Sequence, residues 1–226
     1  MAALKELLAH PGNYGGPRDV SMIKYLVFHY TGNDGDQAAN NAVYFQNHVV
    51  KASAHYFVDD TTIWRSVPDN RIAWAVGGKL YANADKTGGG TLYGMVSNTN
   101  SISIEMCDTL RNGIYQASEA TLANAAALGR ELMERYHIPP ERVVRHFDVT
   151  GKHCPSYLIN ARKWAAFKER LTMDNKPSPA HKAGVEWALA NGILRGNAQG
   201  DLMLKQCLTR EQFCTMLHRA FEAMKK

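Results

Sequence analysis

Three side chains in this sequence have the chemistry of a metal site. His29 ends the apolar run KYLVFHY, His146 lies in RHFDVTG, and Cys154 follows eight residues later in GKHCP. Two imidazoles and a thiolate are a competent ligand set for zinc, and catalytic zinc takes three protein ligands and keeps a fourth position open. Both histidines fall at the C-terminal ends of expected strands, where ligand groups gather beside open sheets. Each has an ordinary alternative: a strand-end histidine that binds nothing, and a cysteine that serves as a small buried hydrophobe. Two further groups are candidates. Glu105 sits in SISIEMC, whose alternation puts Ile102, Ile104 and Met106 on one face and Ser103, Glu105 and Cys107 on the other. Lys152 stands two residues before Cys154. Their ordinary alternatives are an exposed strand carboxylate and a solvated loop lysine.

The elements that must position these groups alternate along the chain. KYLVFHY (24–30) reads as a buried strand. Asp36 is expected to cap a helix running to about Val50, with Ala39, Val43, Gln46 and Val50 inward. AHYFVDDTTIWRSV (54–67) reads as a hairpin turning at Asp59-Asp60. Ser118 is expected to cap a helix to about His137, with Leu122, Ala125, Leu128, Leu132 and Tyr136 inward and Pro139-Pro140 stopping it. RVVRHF (142–147) reads as a short strand, and Pro155 as the first turn of a helix holding Leu158, Trp164 and Phe167. This order predicts an α/β domain: a central mixed sheet flanked by helices. Residues 77–100 carry six glycines between these elements, and a loop that long is usually functional, here a cleft wall beside the Glu105 strand.

The polar stretch 173–178, MDNKPS, reads as a linker. It divides a catalytic domain, 1–172, from a small helical module, 179–226. The module combines a helix through GVEWALANG, a Gly-rich turn, and a Thr209–Gln212 capping box before Phe213, Leu217, Phe221 and Met224. That apolar stripe needs a partner, either the rest of the chain or a second copy.

Composition narrows the classes. The 226 residues are 45% hydrophobic and 21% charged, which excludes a disordered chain. No apolar run is long enough to span a bilayer. MAALKELLAHPG lacks the apolar core and cleavage site of a signal peptide, so synthesis in the cytoplasm is expected. The net charge of +5 favours anionic partners, but no dense basic block with aromatics points to nucleic acid. Four cysteines without a CxxC pair exclude a zinc ribbon; Cys207 and Cys214 could pair, but Cys214 falls at a helical position and buried free thiols are the expectation.

FHYT, ASAHYFVDDTTIWRSVPDNRIAWAVG, NSISIEMC and RHFDVTGKHCP occur in this order. Together they resemble the zinc-dependent N-acetylmuramoyl-L-alanine amidases shared by phage endolysins and peptidoglycan recognition proteins, over roughly residues 18–171. The resemblance implies one zinc on His29, His146 and Cys154. It also implies Glu105 as general base on zinc-activated water and Lys152 as the cation on the oxyanion. Where some members carry a Tyr before the His of the AHYF-like segment this chain has Ala54, which places more of the burden on Glu105. Trp74 falls at a cleft aromatic, but Ala75 replaces the His that follows it. Trp74 and His55 are therefore expected to contact substrate, whereas His153 and His48 are read as bystanders.

The implied activity is cleavage of the amide between N-acetylmuramic acid and the L-alanine of the peptide stem, in an endolysin that reaches the wall on release. The alternatives are a non-catalytic peptidoglycan-binding protein on the same fold, which the complete ligand set disfavours, and a cytoplasmic wall-recycling amidase. The C-terminal segment resembles a single S-layer homology repeat, which implies an anionic secondary wall polymer as a further partner. Homo-oligomerisation through the same module is the other expectation.

Overall fold

β-Branched and aromatic runs build the sheet, and small residues let helices lie close on it. The computed structural model describes residues 2–172, 177–196, 200–204 and 208–225. The chain falls into two compact units, Met1–Leu171 and Thr172–Lys226. The expected linker lies mostly outside the described residues.

The first unit begins with β1 (Ala3–Glu6), β2 (Tyr14–Pro17), β3 (Tyr25–Asp34), α1 (Ala38–Asn47), β4 (Tyr56–Val58) and β5 (Thr62–Arg65). It continues through β6 (Arg71–Ala73), α2 (Ala84–Thr87), β7 (Ser101–Arg111), β8 (Ile114–Gln116) and α3 (Glu119–Tyr136). It closes with β9 (Val143–Arg145), α4 (His146–Thr150) and α5 (Ala161–Leu171). The sheet order is β1-β5-β4-β7-β3-β9, with β8 paired to β7, while β2 and β6 form a separate two-stranded sheet. The β4–β5 hairpin is antiparallel, and β4, β7, β3 and β9 run parallel, so the sheet is mixed as expected.

The alternation in β7 decides which face does what. Ile102, Ile104 and Met106 join Leu26 and Phe28 against Leu128 and Leu132 of α3 and Phe167 and Leu171 of α5. Each large side chain buried in this way contributes about 1.5–3 kcal/mol. The other face carries Val27, His29, Ser103 and Glu105. Gly129 permits the α3–α5 contact, since a Cβ there would lie 2.7 Å from Leu171 Cδ2.

Several expectations need correction. Asp36 does not cap α1: the Asp59 carboxylate of the hairpin turn accepts from the Ala38 amide at 2.9 Å. The buried face of α1 is Ala38, Asn41 and Ala42, with Val43 and Val50 exposed, because small residues allow closer approach to the sheet. The segment after Pro155 is broken: a 3-10 turn, Ser156–Leu158, precedes α5, and Asn160 caps α5 by accepting from Arg162 and Lys163. β1, β2 and β6 were not anticipated. They are short, and β1 lies on a sheet edge with all four residues exposed.

Ser118 caps α3 as expected, and α3 ends with His137 at φ 53° before the prolines. In the second unit, α6 (Lys182–Ala190) ends ahead of Gly192 at φ 66°, and α7 (Arg210–Met224) starts from the Thr209–Gln212 capping box. Phe213, Leu217, Phe221 and Met224 are all exposed along α7. Cys214 is exposed too, against the expectation of a buried thiol, because its position on α7 faces away from any core; Cys207 lies outside the described residues. Among the described residues no helix is long and apolar enough to cross a membrane.

Candidate metal centre

Parallel register brings the key residues level. His29 of β3 pairs with Glu105 of β7, and Glu105 pairs with Phe57 of β4. β9 pairs with β3 up to Phe28–Arg145, so His146 emerges one residue beyond, beside His29. His146 does not close a strand, contrary to expectation; it opens α4. Arg145 fixes that junction. Its guanidinium bonds both Asp148 carboxylate oxygens, at 3.0 and 2.6 Å, and the carbonyls of Leu158 and Ile159 at 2.8 and 2.9 Å.

Cys154 is placed by backbone contacts: its carbonyl accepts from the Phe147 amide at 2.9 Å, and its amide donates to the Lys152 carbonyl at 2.7 Å. The Tyr30 amide is directed at its sulfur. Sγ lies 3.7 Å from His29 Nδ1, and the His29 and His146 rings are 4.7 Å apart. One ligand atom from each of the three lies within 4.8 Å of the others, and all three residues are buried. Glu105 Oε1 is 3.9 Å from His29 Nδ1, with 20% of its side chain still exposed.

The electrostatics are dominated by burial. Burial drives His29 well down and His146 down to about 4, with Lys152 adding repulsion to both. Burial pushes the Cys154 thiol up and Glu105 to about 8, the latter opposed by Lys152. His29 Nε2, both His146 ring nitrogens and Glu105 Oε2 are buried with no hydrogen-bond partner. Buried polar atoms ordinarily find partners. Two neutral imidazoles and a thiol converging with open lone pairs match what zinc requires of its ligands, so the donor set fits the metal. The Lys152 side chain is exposed, yet its charge acts on all four groups.

The glycine-rich segment 77–100 packs on α4, the helix that His146 opens. Its amides at Tyr81, Gly90 and Leu92 donate to the carbonyls of Thr150, Phe147 and Asp148. Contact is tight enough to require glycine. A Cβ on Gly151 (φ +79°) would lie 2.5 Å from Ala84 Cβ, and one on Gly89 would lie 2.9 Å from Gly151 Cα.

His55 is not a substrate contact. It is fully buried, its Nδ1 accepts from the Ser103 amide at 3.0 Å, and its Nε2 lies 3.2 Å from the Arg71 carbonyl and 2.9 Å from Arg18. The Ser103 amide makes Nδ1 the acceptor, which leaves the proton on Nε2. Burial and the Arg18 charge hold this ring neutral, with its pKa down to about 3. Arg18 itself was missed. It is buried, donates to the carbonyls of Asp69, Asn98, Thr99 and Ser101, and ties the end of segment 77–100 to the sheet. A lone arginine in PRDV carries no sequence signal for that role. Trp74 is half-buried at the end of β6, its amide bonded to Ser53 Oγ. His48 and His153 are exposed.

Comparison with known proteins identifies the family. Residues 19–157 match the family model for N-acetylmuramoyl-L-alanine amidase. The N-acetylmuramoyl-L-alanine amidase CwlL of Bacillus licheniformis is 33% identical over 68% of this chain and 40% of its own length. CwlA of Bacillus subtilis is 30% identical over 89% of this chain and 71% of its own. The solved structure of PlyL superposes with a TM-score of 0.59 at 28% identity, covering 78% of this chain and 99% of that one. The chain spans about two fifths of the length of its Bacillus licheniformis relatives. With the family model covering β3 through β9 and the segment that holds His29, His146 and Cys154, the chain belongs to the N-acetylmuramoyl-L-alanine amidase family.

Proposed function

We propose that this chain hydrolyses the amide joining N-acetylmuramic acid to the L-alanine of the peptidoglycan stem, with one zinc held by His29, His146 and Cys154. The observation that carries the reading is the convergence of these buried, unpartnered donors beside Glu105. Zinc bound there supplies a Lewis acid that polarises a carbonyl and makes water nucleophilic near neutral pH.

The protein's own groups do the rest. Glu105 Oε2 is the buried, partnerless atom that takes a proton from the attacking water and returns it to the leaving amine. Burial raises Glu105 and so strengthens it as a base, while the Lys152 charge opposes that rise and favours the ionised form that can accept a proton. Lys152 carries the charge that opposes the negative oxygen developing on the scissile carbonyl. Trp74 offers an aromatic surface for the substrate.

The relatives named as N-acetylmuramoyl-L-alanine amidases, and the solved "Mutant endolysin from Bacillus subtilis", 29% identical with a TM-score of 0.59, support a lytic role on the cell wall. Residues 179–226 form an attachment or assembly module, with an anionic wall polymer or a second copy as partner. The exposed α7 stripe supports this part of the reading.

The test is release of labelled fragments from cell walls with and without a chelator. New N-terminal alanine, lost on chelation and restored by zinc, is the expected result; new reducing sugar ends would overturn it. Cys154→Ser should lower bound zinc at least tenfold by metal analysis, and full retention would remove Cys154 from the ligand set.

A further inference from the structure

The His146 ring is not oriented by a hydrogen bond of its own: among the described residues neither of its buried nitrogens has a partner. Its position must therefore come from the backbone that carries it. β9 supplies little of that hold. It is three residues long, lies at the edge of the sheet, and pairs with β3 through Leu26–Val143, Val27–Val144 and Phe28–Arg145. α4, which follows, has five residues, too few for a helix to hold its own shape.

Arg145 closes the segment that these elements leave loose. It is 8% exposed. Nε and Nη2 form a fork on the Asp148 carboxylate in the first turn of α4, and Nη1 donates to the carbonyls of Leu158 and Ile159, beyond Cys154. Asp148 also accepts from the Arg145 amide at 2.7 Å. The rings of Phe147 and of Trp164 on α5 lie 5.0 and 5.3 Å from the guanidinium carbon. One side chain thus joins the end of β9, α4, the turn after Cys154 and α5. A planar guanidinium can do this because its donors point in fixed directions; an ammonium on a flexible stem cannot hold several partners in one geometry.

We propose that Arg145 is a positioning residue of the metal centre: by tying the end of β9 to Asp148 and to the carbonyls of residues 158 and 159, it sets the separation of His146 and Cys154 before a metal arrives. The inference rests on the zinc reading and goes beyond it, since Arg145 stands outside the ligand set. Ligands already held at their working separation lose less conformational freedom on binding, so the clamp acts on metal affinity. Lys152 rides on the same segment and is placed by the same contacts.

The experiment uses the full chain, zinc-loaded and zinc-stripped, as the parent, Arg145→Lys and Asp148→Asn. Arg145→Lys keeps the charge and loses the fork; Asp148→Asn keeps the guanidinium and weakens its hold on α4. Chelator competition should show the zinc Kd raised about tenfold in each variant. The zinc-stripped proteins are then alkylated, and the rate at each cysteine is read by mass spectrometry. Cys107 is the internal reference, 4% exposed on β7, in the same unit but outside the clamped segment. The ratio of the Cys154 rate to the Cys107 rate should rise about tenfold in both variants, because the opening is local. A general loss of stability would expose both thiols together and leave the ratio unchanged. That outcome, or parental zinc affinity in Arg145→Lys, overturns the proposal. A parent that binds no zinc would sink the metal reading alone, and the alkylation ratio, which needs no metal, then decides the clamp. Thermal melts check that Arg145→Lys is folded; where it is not, Asp148→Asn carries the same two readouts.

Discussion

At the scale of single residues, burial does two jobs with the same side-chain chemistry. His29 and His146 are buried with open ring nitrogens, whereas His55 is buried with both nitrogens engaged. The first pair is set for a ligand and the third is part of the frame. Glu105→Gln should keep zinc and fold but lose about 10²–10⁴-fold in turnover, the usual contribution of a general base. Lys152→Ala should lose a comparable factor in kcat with little change in wall binding. Steady-state kinetics beside metal analysis separates these from a ligand defect. His55 makes a pH prediction. Its ordinary pKa of 6.5 falls to about 3 in the fold, so the unfolded chain binds a proton the folded chain refuses. Its contribution is intact above pH 6.5 and is lost progressively toward pH 3, roughly 3 kcal/mol by pH 4. His55→Gln should melt lower than the parent at pH 7 yet lose less on acidification, as thermal melts between pH 7 and 4 would show.

At the scale of elements, legibility followed period and punctuation. The β7 alternation, the Ser118 cap and the Thr209–Gln212 box were readable because each rests on contacts within a few residues. The α1 cap and the inner face of α1 were misread because the capping carboxylate, Asp59, comes from another element. The roles of Arg18 and His55 were unreadable for the same reason: their partners lie 16 to 83 residues away. The ligand types were legible as chemistry, but their convergence depends on the β3–β7–β9 register. Segment 77–100 was read as a cleft wall; the structure shows it packed on α4, with Gly89 and Gly90 in contacts too close for a Cβ. Gly151→Ala should destabilise the protein by about 1–3 kcal/mol, since it joins a positive φ to a contact with Ala84. Because residue 151 sits between His146 and Cys154, zinc affinity should fall with it, measured by chelator competition.

At the scale of the whole molecule, every proposed catalytic group lies in the unit Met1–Leu171. Truncation after Leu171 should leave a folded, zinc-loaded protein that cleaves a soluble muropeptide at nearly the parental rate. Its activity on intact walls should fall, or its mass in solution should change. Pull-down on walls and light scattering distinguish a lost attachment site from a lost self-association. A truncated chain that is folded and metal-loaded but inactive on the soluble substrate would show that the division of labour is wrong.

His29 and Cys154 are 125 residues apart in the chain yet 3.7 Å apart in space. A metal held there would act as a reversible cross-link between the first parallel strand of the sheet centre and the loop before its last helix. Closing so long a stretch restricts the unfolded ensemble far more than a local clip would. The melting temperature should therefore behave as a binding isotherm, climbing with the logarithm of free zinc once sites fill. Resistance to proteolysis would follow the same curve, so that metal supply would set how long the protein survives as well as how fast it works.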